Sequence, residues 1–243
     1  MKFIILILIF IFSFIPASYS LTLADAQRDY VKGDYESALR KARSLAQSDE
    51  VLYFLGVVSI KTEDYSTARK YLQELIQRFP KSYFYPPAMV KLADTYFLQK
   101  DYKNAAVLYQ EVKESCPIVN NMPLVLLRLA QIAAKEGNWA EKEKYLNIIK
   151  EKYPQSAEMK LVKTLESYGE FFTIQVGAFT NRDKALAFME ELRKEYDEVH
   201  IVTEKYDNYD IHKVRIGRFK KRYDVEKIAA KLRSQGYSIR IYP

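Results

Sequence analysis

Two internal periods, each confined to its own part of the chain, restrict what these 243 residues can fold into. Shifted by 37, DYSTARKYLQELIQRFP (64–80), DYKNAAVLYQEVKESCP (101–117) and NWAEKEKYLNIIKEKYP (138–154) superimpose. The matches are Tyr65/Tyr102/Trp139, Leu72/Tyr109/Leu146, Leu75/Val112/Ile149 and Pro80/Pro117/Pro154. Upstream, Leu55, Leu92 and Leu129 keep the same spacing inside the runs VLYFLGVVSI, AMVKLADTYF and LVLLRLAQIA, and GDYESALRKA (33–42) is a shorter fourth copy. Such a period describes units of two amphipathic helices that bury their apolar faces by stacking on their neighbours. In each unit the Asp or Asn after the turn is placed to cap the second helix, and the aromatic that follows opens its buried face. The Ala three residues on permits close approach of helices, and the proline ends the unit. A solenoid with a capping helix at Ser156–Tyr168 is the expectation.

Near Gly169 the pattern changes to alternation and the offset to forty. TIQVGAF (173–179) is rewritten as KVRIGRF (213–219). The offset pairs Ile174 with Val214, Gly177 with Gly217, Phe179 with Phe219, Leu192 with Leu232, Val199 with Ile239 and Ile201 with Ile241. Strands are expected over FFTIQVGAF, VHIVTEKY, IHKVRIGRF and YSIRIY, with helices over RDKALAFMEELRKEY and DVEKIAAKLRSQG. Two β-α-β halves combine as β-α-β-β-α-β, a four-stranded antiparallel sheet with two helices on one face. The glycines are expected to mark the bend between strand and helix.

The period of 37 ends at Pro154 and the offset of forty begins near Phe171, so the fold class is α+β with two domains expected to fold separately. If Ile174, Val176, Val199, Ile201, Val214, Ile216, Ile239 and Ile241 face the helices, alternation places Thr173, Gln175, His200, Val202, Ile211, Lys213, Arg215, Arg240 and Tyr242 on the other face. The first and third strands are central in this topology, so Gln175, Lys213 and Arg215 lie mid-sheet, with the two cations facing solvent. Residues 213–222 hold six Lys or Arg and no acid, and 218–222 reads equally as a solvated corner or as part of a binding surface.

The N-terminus carries an address. Lys2 precedes the apolar run Phe3–Ile15, followed by Pro16 and small residues up to Ser18 and Ser20, the pattern of a secretory signal cut after Ser20. Thirteen residues fall short of the roughly 20 that span a bilayer as a helix, so no stable membrane anchor is expected after cleavage. No cysteine lies near the cut, which argues against a lipoprotein. The single cysteine, Cys116, rules out an intrachain disulfide framework and reads as a packed thiol. Only His200 and His212 are present, with His212 expected to face inward; no H-E-x-x-H or G-x-S-x-G occurs and there are 7 glycines. No catalytic constellation, metal site or cofactor site emerges, so an enzyme is not expected. The net charge of +7 favours an anionic partner.

The helical part, about residues 25–155, resembles the tetratricopeptide repeat, whose usual period is 34. Its longer period and F-P and Y-P endings are most similar to repeats of periplasmic cell-envelope scaffolds, which implies a groove for an envelope protein partner. The C-terminal part, about 170–242, resembles the SPOR (sporulation-related repeat) domain through Q-V-G-A-F in the first strand, V-R-I-G-R-F in the third and a helix with a spaced Ala after each. The division implied is a signal peptide at 1–20, tetratricopeptide-like repeats at 21–168 and a ferredoxin/RRM-like SPOR domain at 169–243. The resemblance implies binding to peptidoglycan, specifically glycan strands denuded by amidases and enriched at the division septum. It puts Gln175, Ala178, Tyr209, Ile211, Lys213, Arg215, Arg240 and Tyr242 in the glycan site. Gln175 occupies the family's strand-one glutamine. Ala178 stands where many members have serine and Ile211 where some have an aromatic, leaving Tyr209 or Tyr242 to stack on sugar.

There is a physical reason for a basic, amide-bearing face. Removing the stem peptide frees the lactyl carboxylate of muramic acid, so a stripped strand is a regular polyanion. Lys213 and Arg215 are suited to its carboxylates and Gln175 to its N-acetyl groups. A four-stranded sheet with a polar face is also the plan of an RNA-binding RRM. Export and the lack of outward aromatics on KVRIGRF argue against nucleic acid. The alternative is an envelope assembly scaffold with no direct glycan binding.

Overall fold

The computed structural model describes residues 21–116, 120–167 and 169–243; the expected signal peptide, Pro117 and Tyr168 lie outside these. The described residues fall into two compact units that divide between Tyr71 and Leu72. The first holds helices α1 (Leu23–Val31), α2 (Tyr35–Arg43) and α3 (Asp49–Lys61) and the first half of α4 (Tyr65–Arg78). Its core is built from Ala26, Ala38, Ala42, Val51, Phe54, Leu55 and Val58. The second unit continues with α5 (Tyr85–Leu98), α6 (Tyr102–Ser115), α7 (Met122–Glu136), α8 (Trp139–Lys152) and α9 (Met159–Ser167). Then come β1 (Phe172–Phe179), α10 (Arg182–Leu192), β2 (Val199–Tyr206), β3 (Tyr209–Phe219), α11 (Arg222–Ser234) and β4 (Arg240–Tyr242).

The repeat chemistry is local and regular. Asp34, Asp64, Asp101 and Asn138 each accept a hydrogen bond from the backbone N–H three residues on, at 3.0–3.2 Å. This satisfies one of the open donors at the start of α2, α4, α6 and α8. The residue before each cap takes a left-handed conformation: Gly33 (φ 84°), Glu63 (φ 60°), Lys100 (φ 64°) and Gly137 (φ 77°). The turn geometry is thus common to all four units, although only two of them use glycine. The small residue that follows is buried as Ala38, Ala68 and Ala105, but the fourth unit places Lys142 there, 1% exposed.

In the C-terminal part the sheet order is β2-β3-β1-β4, every neighbouring pair antiparallel, with β3 and β1 central as the β-α-β-β-α-β plan requires. Phe172, Ile174, Val176, Val199, Val214 and Ile216 pack against Ala185, Met189 and Leu192 of α10 and Val225, Ala229 and Leu232 of α11. His212 is buried on this side and shares a 2.9 Å hydrogen bond with Thr203. The fourth strand is shorter than the alternation of YSIRIY implies: residues 237–239 are irregular, although Tyr237 and Ile239 still pack on the core.

The doubled G-x-F has a steric cause. At Gly177 an added Cβ would stand 2.8 Å from the Phe179 ring, and at Gly217 it would stand 2.3 Å from the Phe219 ring. Each phenylalanine folds back over the glycine two residues before it. Gly217 also needs its φ of 72° for a bulge in β3. The glycines therefore sit at irregularities within strands that run on to Phe179 and Phe219, rather than at the strand-to-helix bend.

The last helical unit packs on the sheet module. The Trp139 ring lies 5.1 Å from that of Phe172, and its Nε1–H donates to the Lys220 carbonyl at 3.2 Å. Lys142 Nζ donates to the Gly169 carbonyl at 3.1 Å, and Arg222 donates to the Lys135 carbonyl at 3.3 Å. Gly137 allows the approach, since a Cβ there would meet the Phe172 ring at 3.0 Å. The basic stretch 218–222 is consequently a docking segment in part, not a free solvated corner.

Candidate functional site

Register decides which side chains share the outer face of the sheet, because directly opposed residues in an antiparallel pair project to the same side. One row crosses all four strands: His200 opposes Arg215, Arg215 opposes Gln175, and Gln175 opposes Arg240. The next row is Val202, Lys213 and Ala178, followed on β2 and β3 by Glu204 with Ile211 and Tyr206 with Tyr209. Thr173 opposes Tyr242 on the same face. Simple alternation from Gln175 would turn Ala178 towards the helices. A bulge between Gln175 and Gly177 adds one residue to β1 and brings Ala178 opposite Lys213. All eight residues singled out by the resemblance therefore lie on one face.

The face is polar and partly unsatisfied. Thr173 Oγ1, Gln175 Oε1 and Arg215 Nε are buried without a hydrogen-bond partner among the described residues. Thr173 is only 4% exposed, whereas its position on the outer face implied access to solvent. Tyr242 organises the two arginines beside Gln175: the Arg215 guanidinium carbon lies 4.6 Å from its ring centroid and that of Arg240 5.0 Å. Such contacts are worth about 0.5–1 kcal/mol at exposed sites. Arg215 and Arg240 stand on strands flanking β1, hence roughly 10 Å apart across two interstrand steps, with an amide between them. At the hairpin end, the exposed rings of Tyr206 and Tyr209 stack at 5.2 Å and 12°.

Lys213 differs from the expectation that it faces solvent freely. Its ammonium is 2.5 Å from Glu204 Oε2 and its side chain is 15% exposed. The Lys213 hydrogen bond holds the Glu204 carboxyl below its usual range, and Tyr206 donates to the same oxygen at 3.1 Å. Sequence reasoning missed Glu204; counting alternate residues along β2 from His200 places it on this face. It also missed the docking roles of Trp139 and Lys142, for which the break in the alanine column was the available signal.

Residues 168–239 match the model of the SPOR domain, 124–156 that of a tetratricopeptide repeat, and 45–126 that of an outer membrane lipoprotein family, YfiO. The chain thus carries a SPOR domain behind tetratricopeptide-type repeats, both of them binding modules. Comparison with curated proteins finds no match. Among solved structures, the pilF protein of Pseudomonas aeruginosa is 20% identical, with a TM-score of 0.47 over 61% of this chain and 68% of that one. PilW, a type IV pilus biogenesis factor, is 18% identical with a TM-score of 0.49 over 58% and 64%. YrrB, a tetratricopeptide-repeat protein, is 17% identical with a TM-score of 0.49 over 58% and 71%. Nothing further rests on these likenesses.

Proposed function

We propose that this is an exported, non-enzymatic envelope protein that binds amidase-denuded peptidoglycan through the outer face of its sheet and an envelope protein through its helical repeats. The reading assigns 1–20 to a cleaved signal, 21–168 to the repeats and 169–243 to the SPOR domain, with a periplasmic, septal location. The observation that carries it is the row Arg215–Gln175–Arg240. Two arginines flank, on neighbouring strands, an amide whose buried oxygen has no hydrogen-bond partner among the described residues.

A stripped glycan offers the matching groups in order: carboxylates for the arginines and N-acetyl amides for Gln175. An intact stem converts that carboxylate to an amide and removes the charge. Discrimination between stripped and intact strands therefore rests on Arg215, Arg240 and Lys213, while Gln175 contributes equally to both. One observation favours the alternative of a scaffold without glycan contact: Glu204 already neutralises Lys213.

Sedimentation with amidase-treated sacculi separates the two readings. The variant Lys213→Glu/Arg215→Glu should stay in the supernatant; because it sets a second carboxylate beside Glu204, it should unfold below the wild-type temperature, and circular dichroism at the assay temperature checks that it is folded. A folded variant that still sediments like wild type would remove the sheet face from glycan binding and leave the scaffold.

A further inference from the structure

Part of the outer face of the sheet is closed to solvent. Thr173 projects to that face opposite Tyr242, yet it is 4% exposed, and its hydroxyl has no hydrogen-bond partner among the described residues. Gln175 Oε1 and Arg215 Nε, in the next row, are buried and unpartnered in the same way. The cover comes from β4. Arg215 stands on β3 and Tyr242 on β4 with β1 between them, so their backbones lie roughly 10 Å apart. Their side chains nevertheless approach to 4.6 Å, guanidinium carbon to ring centroid, and therefore meet above β1. Arg240 holds the ring from its own strand at 5.0 Å. Arg215, Tyr242 and Arg240 thus roof the stretch of β1 that carries Thr173 and Gln175.

Such a roof is weakly held. Cation–π contacts at the solvent boundary keep it shut, whereas burying polar atoms without partners disfavours the closed arrangement. The strand need not leave the sheet for the roof to open, because Ile241 packs on the core and the Tyr242 ring moves about its own side-chain bonds. The three unpartnered atoms limit what can take its place. Gln175 Oε1 only accepts, Arg215 Nε–H only donates, and the Thr173 hydroxyl does both. A carboxylate there would satisfy the donors and repel the Gln175 oxygen. A secondary amide satisfies all three: its N–H donates to Gln175 Oε1, and its carbonyl accepts from Thr173 and from Arg215 Nε. The terminal nitrogens of Arg215 are left for a carboxylate. We propose that the Tyr242 ring is a displaceable cover over an acetamido subsite, that Thr173 is one of its ligand contacts, and that an N-acetylated sugar opens it. This rests on the glycan reading above, and it makes Tyr242 a gate rather than a stacking platform.

The test titrates the full mature chain with amidase-stripped glycan and with the same strands after chemical de-N-acetylation. Thr173→Val keeps the shape of the side chain and removes an unpaired hydroxyl, so it should unfold at the wild-type urea midpoint or above it. It should nevertheless bind N-acetylated strands roughly three- to tenfold more weakly, as expected for one lost hydrogen bond, and de-N-acetylated strands like wild type. Tyr242→Ala removes the cover and should bind N-acetylated strands about two- to fivefold more tightly. Unchanged or weaker binding by a folded Tyr242→Ala would make the ring a bystander or a fixed platform and overturn the gate. Wild-type affinity of Thr173→Val for N-acetylated strands, or an equal loss on both kinds of strand, would overturn the acetamido subsite while leaving Lys213 and Arg215 in the glycan site. Failure of wild type to bind stripped strands in either form would refute the glycan reading and the subsite with it.

Discussion

Lys142 occupies the position that is alanine in the three preceding repeats, and its replacement separates two accounts of the last helical unit. If repeat packing governs, Lys142→Ala should be neutral or favourable. The structure predicts the reverse. The side chain is buried, and its ammonium donates to the Gly169 carbonyl at 3.1 Å and lies 3.3 Å from Glu143. A hydrogen bond involving a charged group contributes about 1.5–3 kcal/mol net, and the desolvation of a buried ammonium offsets part of it. Lys142→Met keeps most of the volume and deletes the charge, so it should cost about 1–2 kcal/mol. Lys142→Ala also empties the space of the stem and should cost about 3–5 kcal/mol. Trp139 is the only tryptophan in the chain and sits at this junction, so its fluorescence in urea reports the site directly. With a urea slope of roughly 2 kcal/mol per molar, the Met variant should unfold about 0.5–1 M earlier and the Ala variant earlier still. A Met variant at the wild-type midpoint, or an Ala variant at or above it, would refute the reasoning.

Further outcomes follow from the sheet. Gly217→Ala forces a left-handed φ on a side chain that would clash with Phe219, and should destabilise by about 2 kcal/mol or more. Gly177→Ala should cost less, since its backbone is ordinary, and denaturant midpoints give the order. Glu204→Gln should raise affinity for stripped glycan about two- to fivefold at neutral pH by releasing Lys213; unchanged or weaker binding in a titration would mean the pair positions Lys213 rather than competing for it. Because Lys213 depresses the Glu204 pKa, the pair stabilises the fold above the ordinary carboxyl range near about 4.3. That contribution is lost as pH falls through the lower folded value. Glycan carboxylates titrate in the same range, so acid unfolding without ligand is the informative comparison between wild type and Glu204→Gln.

Helical hairpins were legible because their determinants are short-range: Asp34, Asp64, Asp101 and Asn138 act on residues three positions away. The sheet was legible because Ile174 and Val214 alternate with polar neighbours and recur at a fixed offset. What stayed hidden depends on register and docking. The bulges at Val176 and Gly217 lie beside glycines covered by the Phe179 and Phe219 rings, and alternation alone misdirects Ala178. The Glu204–Lys213 pair needs the β2–β3 pairing before its members are neighbours. Trp139 matched the aromatic column of the repeats, so nothing in the period announced that it would pack on Phe172 in another module. The short β4 reflects a chain held by Tyr237 and Ile239 in the core without a ladder to β1.

Amide correlation spectra of the mature chain titrated with stripped glycan would test the central claim most directly. The account predicts shifts concentrated at Thr173–Ala178, His200–Glu204, Ile211–Arg215 and Arg240–Tyr242, with little change when glycan bearing intact stems is added. Shifts confined to the inner-face helices α10 and α11, or equal responses to stripped and intact glycan, would contradict it.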